Sequence, residues 1–177
     1  MTSTRKGTTA MASRTGQTRT TAETPAVPQS QPTPLSADEL ATLREIEQRM
    51  LWISTAMIHH ANSVRPSTEK AKVGGHQASS ASVSTIMTAL YFHFLREGDR
   101  VSIKPHASPI YHAAQYLLGR LDRSYLTTLR EFKGLQAYPS RTKDPDPVDF
   151  STGSVGLGAV APAFAALAHR YAELHFG

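Results

Sequence analysis

The chain has 177 residues, 40% of them apolar, no cysteine and a formal net charge of +5, enough for one modest globular domain but not for two large ones. The missing cysteines exclude a disulfide framework, a thiolate nucleophile and any sulfur-bearing zinc site, so a reducing compartment is expected and metal binding would fall to His and carboxylate. The tail's basic residues Arg5, Lys6, Arg14 and Arg19 lie among Thr and Ser with no aromatic side chain to stack a base, so no nucleic-acid partner is expected.

Residues 1–35 are rich in Thr, Ser, Gln and Pro and too poor in large apolar side chains to offset the entropy of ordering them, so a disordered leader is predicted. Organelle transit peptides share this composition, but the apolar residues here form no clear amphipathic face, which leaves a cytoplasmic location as the expectation. Order is predicted to begin at Ser36, where Ser36 and Glu39 have the spacing of a capping box. The helix that follows is expected over Ala37 to Ala61, with Leu40, Leu43, Ile46, Met50, Ile53 and Met57 on one stripe at spacings of three and four.

A second helix is predicted over Ser82 to Leu95, whose Val83, Ile86, Met87, Leu90, Tyr91 and Phe94 call for burial on nearly all sides except that of Thr85, Thr88 and Arg96. Asp99 to Lys104 alternates like a short strand, and Pro105 ends it because proline donates no ladder hydrogen bond. Ser108-Pro109 then starts a helix that Gly119 stops, and Asp122 opens another through Glu131. From Phe132 to Ser154 the prolines and glycine predict loop.

The final helix, Gly156 to His175, is apolar on almost every face and is expected to be buried. Pro162, His169, Arg170 and Glu173 interrupt its stretch and argue against a membrane span. Helices flanking a single strand suggest the beginning of an α/β layer with an incomplete parallel sheet, whose next strand would follow Gly177.

Three places could carry chemistry. Gly74-Gly75-His76 precedes a small-residue run that includes Ser79 and then a helix, so helix-start amides could receive an anion beside His76, although an ordinary glycine turn fits the spacing equally well. Lys104-Pro105-His106-Ala107-Ser108-Pro109 sits at the carboxyl end of the predicted strand, where open α/β sheets place ligands. Gly153-Ser154-Val155-Gly156-Leu157-Gly158 leads into a helix start, where glycines permit close backbone approach to a phosphate or flat ring.

The other histidines offer less. His59 and His60 are adjacent and point about 100 degrees apart on a helix, and the pairs His93 with Glu97 and His169 with Glu173 have no evident third ligand, so no metal site is expected in this chain. Ser79, Ser82 and Ser108 lack a nucleophile elbow and an acidic orienter for a nearby histidine, which argues against a serine hydrolase.

In this order, with Gly119-Arg120-Leu121 and Tyr138-Pro139 between them, these segments resemble the amino-terminal domain of the homodimeric pyruvate dehydrogenase decarboxylating component. That family belongs to the thiamine diphosphate-dependent transketolase and pyruvate dehydrogenase superfamily, and transketolase itself is a less close match. The resemblance runs from about Leu40 to the end, with its order-specific core between Gly74 and Gly158.

The resemblance implies residues 36–177 as a partial thiamine diphosphate-binding domain, helix-rich and α/β. It implies His76 and His106 as catalytic residues lining the cofactor and substrate cavity, Ser79 near the diphosphate, and the backbone around Gly153 and Val155 against the aminopyrimidine ring. A 2-oxo acid or ketose substrate, thiamine diphosphate with magnesium, and a homodimer for the complete enzyme follow by the same implication.

Two departures stand out. Lys104-Pro105 occupies the place of the usual glutamine-glycine, putting a cation where an uncharged amide would contact the ligand. The Gly-Asp-Gly magnesium motif and the pyrimidine domain would lie beyond Gly177, so the chain alone is expected to be inactive and to need the missing catalytic portion or a second chain. Against these stands a non-catalytic interaction protein, with the apolar faces of Ser82 to Leu95 and Gly156 to His175 buried on a partner.

Overall fold

The computed structural model describes residues 34–66 and 72–177, so the predicted leader lies almost wholly outside the described residues. Helix α1 spans Ala37–His59 and opens on the expected capping box: the Ser36 hydroxyl accepts from the Glu39 amide at 3.2 Å, and the Ser36 amide donates to the Glu39 carboxylate at 2.9 Å. Both bonds satisfy amides that have no partner in the first helical turn. The last turn widens, with Arg65 N–H reaching His60 C=O at 2.9 Å, a π-type bond.

Only the second half of the apolar stripe is deeply buried. Met50 and Met57 are sealed, while Leu40 is exposed and Leu43 and Ile46 are half-buried. The methionines pack against α4 (Ser108–Leu117), which carries Pro109 in its first turn, where proline's missing N–H and fixed φ are suited. Ile110, Tyr111, Ala113 and Ala114 complete this contact, and Leu129, Leu135 and Val148 from the later loops close the core around it.

The predicted helix over Ser82 to Leu95 forms differently. It forms as α3 (Ser84–Ala89) continued by a π turn at Leu90–Phe94, and a separate short helix, α2 (Gln77–Ala81), precedes it. Its orientation also differs from the hydrophobic reading: Thr88 is buried, while Ile86 and Phe94 are exposed. The physical reason is Glu47 on α1, whose carboxylate accepts from Ser84 at 2.9 Å and from Thr85 at 2.6 Å, drawing the hydroxyl face toward α1.

No strand forms among the described residues, so the sheet side of the α/β expectation has no counterpart there. Residues 99–104 keep the expected alternation, with Ile103 buried and Lys104 exposed, but their polar groups find no ladder. Val101 N–H donates instead to Asp149 Oδ2 at 3.0 Å, and Arg100 pairs with Asp149 Oδ1 at 3.0 Å. With no neighbouring strand, the segment is tied by one side chain.

The helix predicted from Asp122 to Glu131 stops early. Asp122 caps Ser124 at 2.8 Å, but only a 3-10 turn over Arg123–Thr127 follows. Arg130 then takes a positive φ of 61° and its N–H bonds Leu135 C=O at 2.8 Å, closing a turn that helix continuation would break.

The last helix, α5 (Leu157–Phe176), forms close to the predicted bounds but not in the predicted environment. None of its residues is buried; Phe164, Leu167, Tyr171 and Leu174 are all more than half exposed. Among the described residues nothing covers the apolar faces that its sequence would bury.

Candidate functional site

The glycine pair is held by side chains distant in sequence. Asn62, from the π turn after α1, donates to Gly74 C=O at 2.8 Å and accepts Gly74 N–H at 2.9 Å, while Arg130 donates to Val73 C=O. Gly74 and Gly75 have φ of 89° and 110°, which disfavours any side chain. A β-carbon on Gly74 would also lie 2.6 Å from the Arg130 guanidinium, and one on Gly75 would crowd Ile58 at 3.1 Å. The chain thus turns in a fixed direction into His76, the residue before α2.

From the other side, a 3-10 turn over Pro105–Ala107 delivers His106 directly ahead of α4. The two imidazoles meet edge to face, with ring centroids 4.7 Å apart and planes at 85°. Tyr138 stacks its edge against His106 at 5.7 Å. A small recess here is lined by Gly75, His76, Pro105, His106, Ser108 and Arg130, among others. His106 Nδ1 is buried without a hydrogen-bond partner, and buried ring nitrogens of that kind are rare unless a ligand or water completes them.

The sequence-derived site residues are therefore brought together in part. His76 and His106 are in contact, although 30 residues separate them in the chain. Ser79 sits half-buried on α2 three residues after His76, and its carbonyl accepts from Ser82 at 2.9 Å. Gly153 is half-buried and Val155 exposed in the turn before α5, and no hydrogen bond links them to either histidine among the described residues. The first turn of α5 lies close to the segment leading to His106, since a β-carbon added to Gly158 would lie 3.2 Å from Ser102 Oγ.

A larger concavity, about 970 Å³, lies elsewhere, along α1 and Tyr116, Leu117 and Leu126, and includes none of the predicted site residues. Its lining includes Glu45, Arg49, His59, His60 and Arg123, and His60 Nδ1 is also buried without a partner, so the recess is distinguished by bringing His76 and His106 into contact.

Sequence reasoning missed Tyr138 as a partner of His106, the Asn62 bracket and a buried pair formed by His112 and Asp146. His112 is fully buried on α4 and its Nδ1 stands 2.7 Å from Asp146 Oδ2. In the sequence it is one polar residue in an apolar helix, and only the return of a loop 34 residues later reveals its partner. Beside this pair, burial raises the Asp144 carboxyl above its usual range although the amides of Gln136 and Ser140 bond to it. Burial and the nearby Asp146 likewise hold the Tyr111 phenol protonated well above its ordinary range, and it donates to Pro147 C=O.

No family model matches the chain. Curated relatives do. The chain is 32% identical over 143 residues to the pyruvate dehydrogenase E1 component of Cupriavidus necator, a match covering 73% of this chain and 15% of that protein. With the E1 component of Escherichia coli K12 it shares 31% over 139 residues, 73% of this chain and 15% of the relative. With that of Mycolicibacterium smegmatis it shares 34% over 131 residues, 68% and 14% respectively. The chain is a relative of the pyruvate dehydrogenase E1 components.

This E1-related chain spans about 15% of the length of the curated relatives it matches. It is related to a short part of an enzyme, and the whole enzyme's chemistry does not come with that relationship. None of its described helices is long and apolar enough to cross a membrane.

Proposed function

We propose that the chain forms the histidine wall of a thiamine diphosphate site in an E1-type, 2-oxo acid decarboxylating enzyme, with pyruvate as the preferred substrate class. The observation that carries this reading is the edge-to-face pair of His76 and His106 at 4.7 Å, with a buried and unpartnered His106 Nδ1 beside it.

The residues present fit one end of the cofactor better than the other. Two imidazoles and the Gly75 backbone line a recess of about 10 Å³, whose groups suit the reacting end, where oxygen-centred charge develops, once further polypeptide completes and widens it. Ser79 on α2 and the Gly153–Gly158 turn are offered to the diphosphate side and the aminopyrimidine ring. No carboxylate lines the recess to hold a magnesium ion, so the diphosphate end needs ligands from further polypeptide.

When bound, thiamine diphosphate supplies a nucleophilic carbon and an electron sink for cleavage next to a carbonyl. The work of this chain is then positional and protonic. His106 Nδ1 donates to or accepts from a substrate oxygen, His76 fixes the His106 ring against its edge, and Tyr138 closes the far side.

The exposed apolar surface of α5 supports a partner-dependent enzyme. The same reading assigns the parallel sheet of an α/β domain, and a homodimeric assembly, to polypeptide that packs on this face. The test is pyruvate decarboxylation by the chain alone and after coexpression with the open reading frame immediately downstream. Activity only in the second case, lost in His106→Ala, is expected; activity that ignores His106→Ala would remove His106 from the mechanism.

A further inference from the structure

A second cluster lies away from the histidine pair, where α4 meets the loop of residues 135–149. His112 and Asp146 face each other at 2.7 Å with both side chains wholly buried. The other ring nitrogen, His112 Nε2, faces the Gln136 carbonyl oxygen at 3.4 Å. A neutral imidazole carries one N–H, so a ring held between two oxygens leaves one contact short, which a further proton on the pair or a metal ion supplies.

Three further facts point outward from the pair to a ligand. Asp146 Oδ1 is buried and has no hydrogen-bond donor, an expensive arrangement for a carboxylate oxygen. Asp144 offers a carboxylate oxygen such that it, the His112 nitrogen and the Asp146 oxygen all lie within 4.8 Å of one another. Among the described residues neither aspartate is paired with Lys or Arg, so two carboxylates converge with one imidazole and no basic side chain.

We propose that His112, Asp144 and Asp146 form a site for one divalent first-row transition-metal ion of the zinc class. One imidazole with two carboxylates suits zinc, cobalt or manganese better than calcium or magnesium, which favour all-oxygen shells. Asp144, half-buried, is the ligand nearest to solvent and leaves a position for water. The amides of Gln136 at 2.8 Å and Ser140 at 2.7 Å orient its carboxylate, and the Gln136 carbonyl orients His112, as outer-shell groups do at metal sites.

The ion staples the loop of residues 135–149 to α4, next to the Tyr111 bond to Pro147 and just ahead of the Gly153–Gly158 turn. The site does not depend on thiamine diphosphate binding.

The test uses the full chain, stripped with a chelator and dialysed, then titrated calorimetrically with zinc chloride and separately with cobalt chloride followed by visible absorption. One saturable site is expected, weakened at least about tenfold in Asp144→Asn, abolished in His112→Gln, and unchanged in His169→Gln, which removes the exposed His169–Glu173 pair. Cobalt bound at His112 should give ligand-field absorption that His112→Gln lacks. If His112→Gln fails to fold by circular dichroism, Asp144→Asn and the metal-dependent shift of the His112 ring nitrogens in NMR decide. No saturable uptake, uptake equal in Asp144→Asn, uptake lost in His169→Gln, or a His112 ring doubly protonated and indifferent to zinc would overturn the proposal.

Discussion

At the scale of single residues, Gly74 and Asn62 aim the site. Gly74→Ala must both adopt a positive φ and displace the Arg130 guanidinium, at an expected cost of about 1–3 kcal/mol. The same change should separate His76 from His106, seen as loss of ring-current shifts between them in NMR. At the amino-terminal end, Ser36→Ala should cost about 1 kcal/mol by denaturant unfolding. Glu39 of the same cap is held below its usual range, first by the Ser36 amide and then by the Ser36 hydroxyl. Its contribution is therefore present above the ordinary glutamate range and is lost as pH falls through the lowered value. The two histidines that meet and the glycine pair beside them were legible in the sequence because glycine pairs and His-Ala-Ser-Pro are local patterns. Asn62, Arg130 and Tyr138 were not, since each reaches its partner across the fold.

At the scale of elements, α1 and α4 carry the core, and their shared face is where a substitution should be most costly. Met57→Ala, at a position nearly free of solvent, is expected to lower stability by about 2–5 kcal/mol in chemical unfolding. Periodicity found both helices because apolar spacing and the Ser108-Pro109 start are written locally. It placed Met87 inside and Thr85 outside correctly but misjudged Thr88, which is buried, and Ile86, which is exposed, where Glu47 on another helix recruits Ser84 and Thr85. The extended segment of residues 99–104 shows the reverse limit: its alternation is real, but a strand needs a neighbour, and here Asp149 takes the place of one. Sequence predicts a helix through Glu131, but the segment is a 3-10 turn ending at Thr127, and the positive φ of Arg130 then precludes helix in the following residues, a backbone preference that Arg does not advertise.

At the scale of the whole molecule, the unresolved business is α5. Its sequence calls for burial and its surroundings supply none, which is what a segment made to pack on further polypeptide should look like. Replacing Phe164 and Leu167 together with glutamate should leave the unfolding midpoint of the α1–α4 core unchanged and abolish copurification with a polypeptide carrying the remainder of an E1 component. A fall in core stability would show that α5 packs on its own chain. The helix-rich amino-terminal layer could be read from the sequence, whereas the sheet could not be found among the described residues.

The central claim is that His76 and His106 form a wall of a thiamine diphosphate site. Isothermal titration of thiamine diphosphate with magnesium into this chain, alone and joined to the remainder of an E1 component, tests it most directly. Binding only in the joined form, weakened in His76→Ala and His106→Ala, is the predicted result. No binding in either form, or binding that both substitutions leave unchanged, would contradict it.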